Sequence, residues 1–283
     1  VPKLTCIQAE IGGAHPPWIE SNSVDVTITS PPYKLADGFG TETIYEMGIL
    51  VMKALKPGGR FFLNFGQLRE GFDRPSDVHQ LVSCCLTPSQ TIAWVKSIAV
   101  PGVGNQLKTY LASLGEHEAP SKARLKEILA NPQPEQKGHY QPLRSEKLLN
   151  YCWEPIYTFY KPPEPGYDRL SVGVPYTDLS NLTRGTRGKN GDLHCGGDVW
   201  FIPYKTTGAK TKKRHSHEFP EALVERCLRV SGIKPGGVVL DPFGGSGTTA
   251  VVAKRLGLDA IIVDRDDDAL EETERRWIET IVE

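Results

Sequence analysis

Two segments of the 283-residue chain carry residue types that could do chemistry. One is the run Asp241-Pro242-Phe243-Gly244-Gly245-Ser246-Gly247-Thr248-Thr249. Glycines at 244, 245 and 247 let a backbone pass close to a ligand, and the N-terminus of a helix behind them favours a negative group. Asp264 follows about 20 residues after the turn, where a nucleotide fold places a carboxylate on ribose hydroxyls. A nucleoside-containing cofactor fits this arrangement, whereas the glycines alone are also compatible with a tight turn that binds nothing. NAD competes poorly, because Thr248 and Thr249 follow Gly247 and no third glycine arrives in GxGxxG register.

The other segment is Ser30-Pro31-Pro32-Tyr33. Its two prolines fix the backbone and withdraw their N–H groups, so carbonyls are presented rigidly. Ser30 adds a hydroxyl and Tyr33 an aromatic face. By composition alone this is a turn; paired with the glycine run it becomes a candidate catalytic loop.

The elements that must position these loops read as an α/β alternation with a parallel sheet. Leu4–Ile7 and Val24–Thr29 read as strands, the second leading straight into Ser30. Apolar positions Tyr45, Ile49, Met52 and Leu55 recur at helical spacing, Lys-Pro-Gly-Gly at 56–59 stops them, and Arg60–Phe65 reads as the next strand. Helices are expected near Leu107–Leu114 and Ser121–Leu129, making 101–142 an inserted helical hairpin. Tyr151–Tyr160 returns to the α/β pattern, and 165–197 is a large surface loop region. An amphipathic helix spans 219–230 with Pro220 in its first turn. Strand Gly236–Leu240, the glycine turn, helix Thr249–Leu256, strand Asp259–Val263 and a charged helix over 268–282 complete the chain.

The net charge of −1 announces no nucleic-acid partner, but the charge is uneven. Between Arg184 and Arg214 lie eight basic residues against two acids, among them Arg184, Arg187, Lys189, Lys210, Lys212 and Lys213. A basic, Gly-rich segment of this kind suits phosphate contacts and major-groove readout, although for any single side chain a solvated loop is the alternative. No run approaches a membrane span, and the N-terminus lacks the pattern of a secretory signal. The six cysteines form no CxxC pair, which points to a reducing, cytoplasmic protein without a metal site.

Taken together, the motifs resemble the amino-methyltransferases of DNA. The residues that carry the resemblance are Thr-Ser-Pro-Pro-Tyr at 29–33, Leu-Lys-Pro-Gly-Gly at 55–59, Trp-Glu-Pro-Ile-Tyr-Thr-Phe-Tyr-Lys at 153–161, His-Glu-Phe-Pro-Glu at 217–221 and the run at 241–249. Their order, catalytic loop first and cofactor loop last, is similar to the permuted β group of that family, and the likeness covers nearly the whole chain. It implies a Rossmann-like methyltransferase fold, with a catalytic domain over 1–100, 143–164 and 215–283, an insertion over 101–142 and a target-recognition region over 165–214. It further implies S-adenosylmethionine as cofactor and double-stranded DNA as partner, with a companion restriction endonuclease possible and a monomer or homodimer both open.

Residue by residue, the resemblance makes Ser30, Pro31, Pro32 and Tyr33 the catalytic loop. Asp241, Phe243, Gly245, Ser246, Gly247 and Thr248 become the cofactor loop, Asp264 the ribose acid, and Phe219 and Pro220 the lining of the methionine end. The family's Gly-Asp after the first strand is replaced here by Ala9-Glu10, so Glu10 takes that place, and His217 directly precedes Glu218 where many members have His-Pro-Ala. The resemblance implies that the target base is flipped from the duplex. Tyr33 would then stack on it, the Pro31 carbonyl would accept from its amine, and the Ser30 hydroxyl would bond the amine or the adjacent ring nitrogen. Ser at the first motif position tends towards cytosine N4 and Asp towards adenine N6. The expected activity is therefore site-specific methylation of cytosine N4, with adenine N6 or a catalytically silent DNA-binding relative as alternatives.

Overall fold

The computed structural model describes residues 1–11, 19–32, 40–66, 75–114, 119–138, 146–147, 149–176, 193–203 and 220–282. Its first half contains β1 (Leu4–Gln8), β2 (Val24–Thr29), α1 (Thr41–Ala54), β3 (Leu55–Asn64), α2 (Pro75–Ser83), β4 (Thr87–Val95), β5 (Ser97–Gly102), α3 (Gly104–Ala112), α4 (Lys122–Ala130) and β6 (Gln133–Gly138). The second half contains β7 (Trp153–Tyr160), β8 (Val174–Pro175), β9 (Leu193–His194), β10 (Val199–Phe201), α5 (Glu221–Ser231), β11 (Val238–Asp241), α6 (Thr248–Arg255), β12 (Asp259–Asp264) and α7 (Asp267–Glu279). These fall into two units, one of 1–94, 154–200 and 207–283, the other of 95–153 and 201–206.

The first unit is built on an eight-stranded sheet of order β1-β12-β11-β2-β3-β7-β4-β10. Neighbours from β1 to β3 are parallel, and β7 runs antiparallel to β3. Val24, Val26, Thr27, Ile28 and Thr29 are all buried, as a central strand with both faces covered requires. On one face Phe61, Leu63 and Phe65 pack with Ile44, Met47 and Val51 of α1 and with Val78 and Val82 of α2. The alternate residues Phe62 and Asn64 therefore point to the other face. α5, α6 and α7 pack in sequence, with α5 against β2, α6 against β12 and α7 against β1 and β12.

Several expectations change in detail. The buried stripe of α1 is Ile44, Met47, Leu50, Val51 and Ala54, while Tyr45 is exposed. Gly48 on that stripe lies against the end of α2 and the turn after it, where a Cβ would stand 3.7 Å from Val82 Cα and 3.2 Å from Cys85 Sγ. The Lys-Pro-Gly-Gly segment does not separate helix from strand but lies within β3. There it forms an irregularity, pairing Val24 with Leu55 and Val26 with Arg60. Pro220 is the N-cap of α5 rather than part of its first turn.

In the second unit, β5 and β6 form an antiparallel ribbon from Ser97↔Gly138 to Gly102↔Gln133, with α3 and α4 between them in the chain. Ser121 caps α4 through Arg124 N–H. The start of α3 is satisfied from the ribbon, where buried Glu135 accepts from Asn105 N–H at 2.6 Å. In the first unit, β8 and β9 form a short antiparallel pair. Tyr33, Arg184, Arg187, Lys189, Lys210, Lys212, Lys213, His217 and Phe219 lie outside the described residues. Among the described residues, no helix is long and apolar enough to cross a membrane.

Candidate active site

Because β1, β12, β11, β2 and β3 are parallel, their C-terminal ends share one edge of the sheet, and antiparallel β7 brings its N-terminal end there too. Glu10, Asp264, Asp241, Ser30, Asn64 and Glu154 follow from this to the same edge. From β11 the chain moves outward to β12 on one side; from β2 it moves to β3 on the other. The boundary between β11 and β2 is thus a switch point, where open α/β sheets form a binding crevice.

The glycine turn leaves β11 as its sequence suggests. Gly245 and Gly247 have φ of 51° and 79°, and Gly247 is the N-cap of α6. A Cβ at Gly247 would stand 2.6 Å from Thr273 Oγ1, so α7 packs directly on this glycine. At Gly245 a Cβ would meet open space, which leaves room over the backbone for a ligand. Asp264 closes the arrangement from the end of β12: its Oδ2 accepts from Gly245 N–H at 2.8 Å and its Oδ1 from Asp266 N–H at 3.0 Å. Glu10 is brought alongside, since Gln8 pairs with Asp264 and Ala9 N–H donates to the Asp264 carbonyl. A glycine turn, an open approach and a carboxylate at the adjacent strand end fit the nucleoside part of a cofactor.

Asp241 takes a different place from the one a ligand contact requires. It is only 2% exposed, and its carboxylate is turned inward. Oδ1 accepts from the Thr29 hydroxyl at 2.6 Å and from Phe243 N–H at 3.1 Å, and Oδ2 accepts from the Thr249 hydroxyl at 2.6 Å. Burial pushes its pKa up to about 6 against the opposing effect of these donors, and Asp264 adds to the rise. Asp241 therefore shapes the turn from beneath and ties it to the strand that carries Ser30. Phe243 packs against the core, and Thr248 is buried in the first turn of α6.

Ser246 is held by Arg276 of α7, whose Nη1 donates to the Ser246 carbonyl at 2.6 Å and to its hydroxyl at 3.2 Å. Arg276 also lies 3.5 Å from Glu221, which forms a second ion pair with Arg255 at 2.9 Å. Three helices are thus linked under the turn, and Pro220 is fixed beside Glu221. Nothing in the local sequence marks Arg276 or Thr273, because both sit in an ordinary charged helix.

On the β2 side, Pro31 is buried and Pro32 exposed, with Ser30 between strand and loop. The Ser30 hydroxyl donates to Asn64 Oδ1 at 3.3 Å, and Asn64 in turn donates to Glu154 at 3.3 Å and to the Pro155 carbonyl at 3.2 Å. Neither Asn64 nor Glu154 was singled out by residue type, though Glu154 lies within the 153–161 motif.

Comparison with known proteins places this geometry. The family described as DNA methylase, covering N6 and N4 methyltransferases, matches residues 24–275. The type II methyltransferase M.ScaI of Streptomyces caespitosus is 27% identical over 265 residues, 87% of this chain and 72% of that protein. M.HpaI of Haemophilus parainfluenzae is 26% identical over 270 residues, 91% and 69% of the two chains. Among solved structures, the cytosine-N4-specific PvuII DNA methyltransferase has a similar fold, with TM-score 0.59, 17% identity and coverage of 92% and 81%. So does a DNA modification methylase of Thermus thermophilus in complex with S-adenosyl-L-methionine, with TM-score 0.54, 20% identity and coverage of 99% and 94%. With the Rossmann-like sheet, the glycine turn and the Ser-Pro-Pro loop in place, the chain belongs to the N6/N4 DNA methylase family of S-adenosyl-L-methionine-dependent amino-methyltransferases.

Proposed function

We propose that the protein is a site-specific DNA methyltransferase that methylates the exocyclic N4 of cytosine in double-stranded DNA. The observation that carries this reading is the rooting of the two loops on adjacent strands, with Ser30 at the end of β2 and the glycine turn at the end of β11, joined by the Thr29–Asp241 hydrogen bond. An amine held at Ser30 then faces a cofactor held at the turn. The choice of cytosine rests on serine at position 30, where aspartate accompanies adenine in the family the sequence resembles.

S-adenosyl-L-methionine supplies an electrophilic methyl group on a sulfonium. Asp264 and Glu10 would hold its nucleoside part, the backbone of Gly245, Ser246, Gly247 and Thr248 would cradle it, and Phe219 and Pro220 would line the methionine end. The target amine is a weak nucleophile because its lone pair is delocalised into the ring. Its base leaves the duplex and stacks on Tyr33. Hydrogen bonds from the amine to the Pro31 carbonyl and to Ser30 favour a tetrahedral nitrogen whose lone pair leaves the ring plane. Transfer would then be a direct displacement in which the N–CH3 bond forms as the sulfonium S–CH3 bond breaks, the thioether leaves and one amine proton passes to solvent, with positioning and charge placement supplying the acceleration. No cysteine takes part. Arg184, Arg187, Lys189, Lys210, Lys212 and Lys213 carry the phosphate contacts. A companion restriction endonuclease belongs to this proposal as a possible partner.

The test is chemical. Unmethylated phage λ DNA incubated with the protein and S-adenosyl-L-methionine, then digested to nucleosides, should yield N4-methyldeoxycytidine. N6-methyldeoxyadenosine in its place would assign the adenine activity, and no methylated nucleoside despite bound cofactor would assign a silent DNA-binding relative.

A further inference from the structure

Asn64 is a buried polar side chain at the end of β3, on the sheet face that Ser30 shares. Its amide orientation is set by what surrounds it. Asn64 Nδ2 faces the carboxylate oxygen of Glu154 and the carbonyl of Pro155, and a carbonyl accepts only. The reversed amide would press Oδ1 against both oxygens, leaving acceptors opposed in a buried place, at a cost that buried polar groups do not sustain. Oδ1 must therefore face Ser30. Asn64 Oδ1 has no proton to give, so in that pair the serine hydroxyl is the donor. A hydroxyl has one proton and two lone pairs. With its proton directed at Asn64, Ser30 Oγ presents its lone pairs to a donor such as an amine.

This distinguishes two ways in which Ser30 could touch a base. The adjacent ring nitrogen of cytosine or adenine is itself an acceptor and would need the serine proton. The exocyclic amine is a donor and suits the lone pairs. Accepting from the amine also leaves more electron density on the nitrogen that attacks and favours its lone pair leaving conjugation with the ring. Resting on the methyltransferase reading above, we propose that Asn64, held in place by Glu154 and the Pro155 carbonyl, is a positioning residue that fixes the Ser30 hydroxyl as an acceptor for the target amine. Glu154 contributes from a distance. Its segment reaches this edge because β7 pairs antiparallel with β3, placing Ile156 opposite Asn64.

Because Asn64 acts only through Ser30 in this scheme, the two substitutions must not add. The experiment is a double-mutant cycle on single-turnover methylation of unmethylated phage λ DNA at saturating S-adenosyl-L-methionine, with cofactor Kd measured for each variant. Asn64→Ala should lower the rate roughly 10- to 100-fold, the scale of a small misplacement at a reacting centre, with cofactor Kd unchanged. In the Ser30→Ala background the same substitution should have no further effect, since the hydroxyl it orients is gone. Where Asn64→Ala fails to fold, Glu154→Leu closes the same cycle from the far end of the hydrogen-bond series. Glu154→Gln, whose amide oxygen still accepts from Asn64, should recover most of what Glu154→Leu loses. Losses that multiply in the double variant, or an undiminished rate in Asn64→Ala, would overturn the positioning role while leaving the methyltransferase reading intact. Absence of methyl transfer by the wild-type protein would overturn both.

Discussion

The Thr29 hydroxyl and the Asp241 carboxylate lie 2.6 Å apart, joining the strand end that precedes the Ser-Pro-Pro loop to the strand end that begins the glycine turn. Both residues are buried, so this short bond operates where the dielectric is low and its loss leaves a polar group stranded. One carboxylate also serves Phe243 N–H and the Thr249 hydroxyl, so the turn keeps its shape only while Asp241 stays in place.

That burial makes stability depend on pH in a definite sense. Folding raises the Asp241 pKa from an ordinary value of 3.8 to about 6, so the folded state holds the proton more tightly than the unfolded chain. The stabilisation from this proton is complete below about pH 4, is lost as pH rises to about 6, and changes no further above that. The amount at stake is about 3 kcal/mol. Asp241→Asn should therefore gain on the wild type as pH rises through this window, since its amide oxygen still accepts from Thr29 and Phe243 and its nitrogen meets the Thr249 oxygen. Thermal unfolding of both proteins from pH 4 to 8 measures this, and parallel Tm profiles would contradict it.

Asp264 is expected to bear directly on cofactor affinity. Asp264→Ala removes the acceptor for Gly245 N–H together with the proposed ribose acceptor, and should weaken S-adenosyl-L-methionine binding by roughly 1–3 kcal/mol. Calorimetric titration gives the answer, and unchanged affinity would move the ribose contact elsewhere.

Gly247→Ala tests the seat of the turn from the other side. A side chain there must occupy φ of 79° and meet Thr273 on α7. Strain of this kind costs about 1–3 kcal/mol. Lower Tm together with weaker cofactor binding is expected, and a variant equal to the wild type in both would separate α7 from the site.

For the DNA, replacing Arg184 and Arg187 together by alanine should weaken binding and flatten its salt dependence by roughly one unit of slope per lost phosphate contact. Fluorescence anisotropy over a salt series reads this directly. An unaltered slope would return the segment to a solvated loop.

The two ends of the catalytic loop should separate binding from chemistry. Ser30→Ala should lower the single-turnover rate with cofactor and DNA Kd nearly unchanged, while Tyr33→Ala should also reduce capture of a fluorescent base analogue at the target position. Full activity of Ser30→Ala at saturating cofactor and DNA would remove the loop from the mechanism.

What could be read in the sequence was whatever glycine, proline and hydrophobic period determine locally. Gly245, Gly247 and Pro31 impose backbone shape by themselves, so the turn and the loop were visible before any contact was known. The β5–β6 ribbon was hidden because Pro101 and Pro134, which face each other in its register, are residues that ordinarily argue against a strand. α2 and β4 were likewise unread, β4 because Pro88 and its polar neighbours resemble a loop. Asn64 and Glu154 were invisible for another reason. Each sits in an apolar strand, and the pairing of β7 with β3 brings together residues 90 positions apart.

The strand order also bears on how the molecule is made. Among the described strands β11 and β12 come last in sequence, yet they lie between β1 and β2, which come first. During vectorial synthesis β1 emerges long before its partner β12, and the gap between β1 and β2 stays open until the segment beyond residue 238 arrives. Closing it joins ends of the chain that are far apart in sequence, the kind of step that makes folding slow. The crevice between β11 and β2 is thus among the last features to form, and a nascent chain released early would carry its Ser-Pro-Pro loop without the glycine turn beside it.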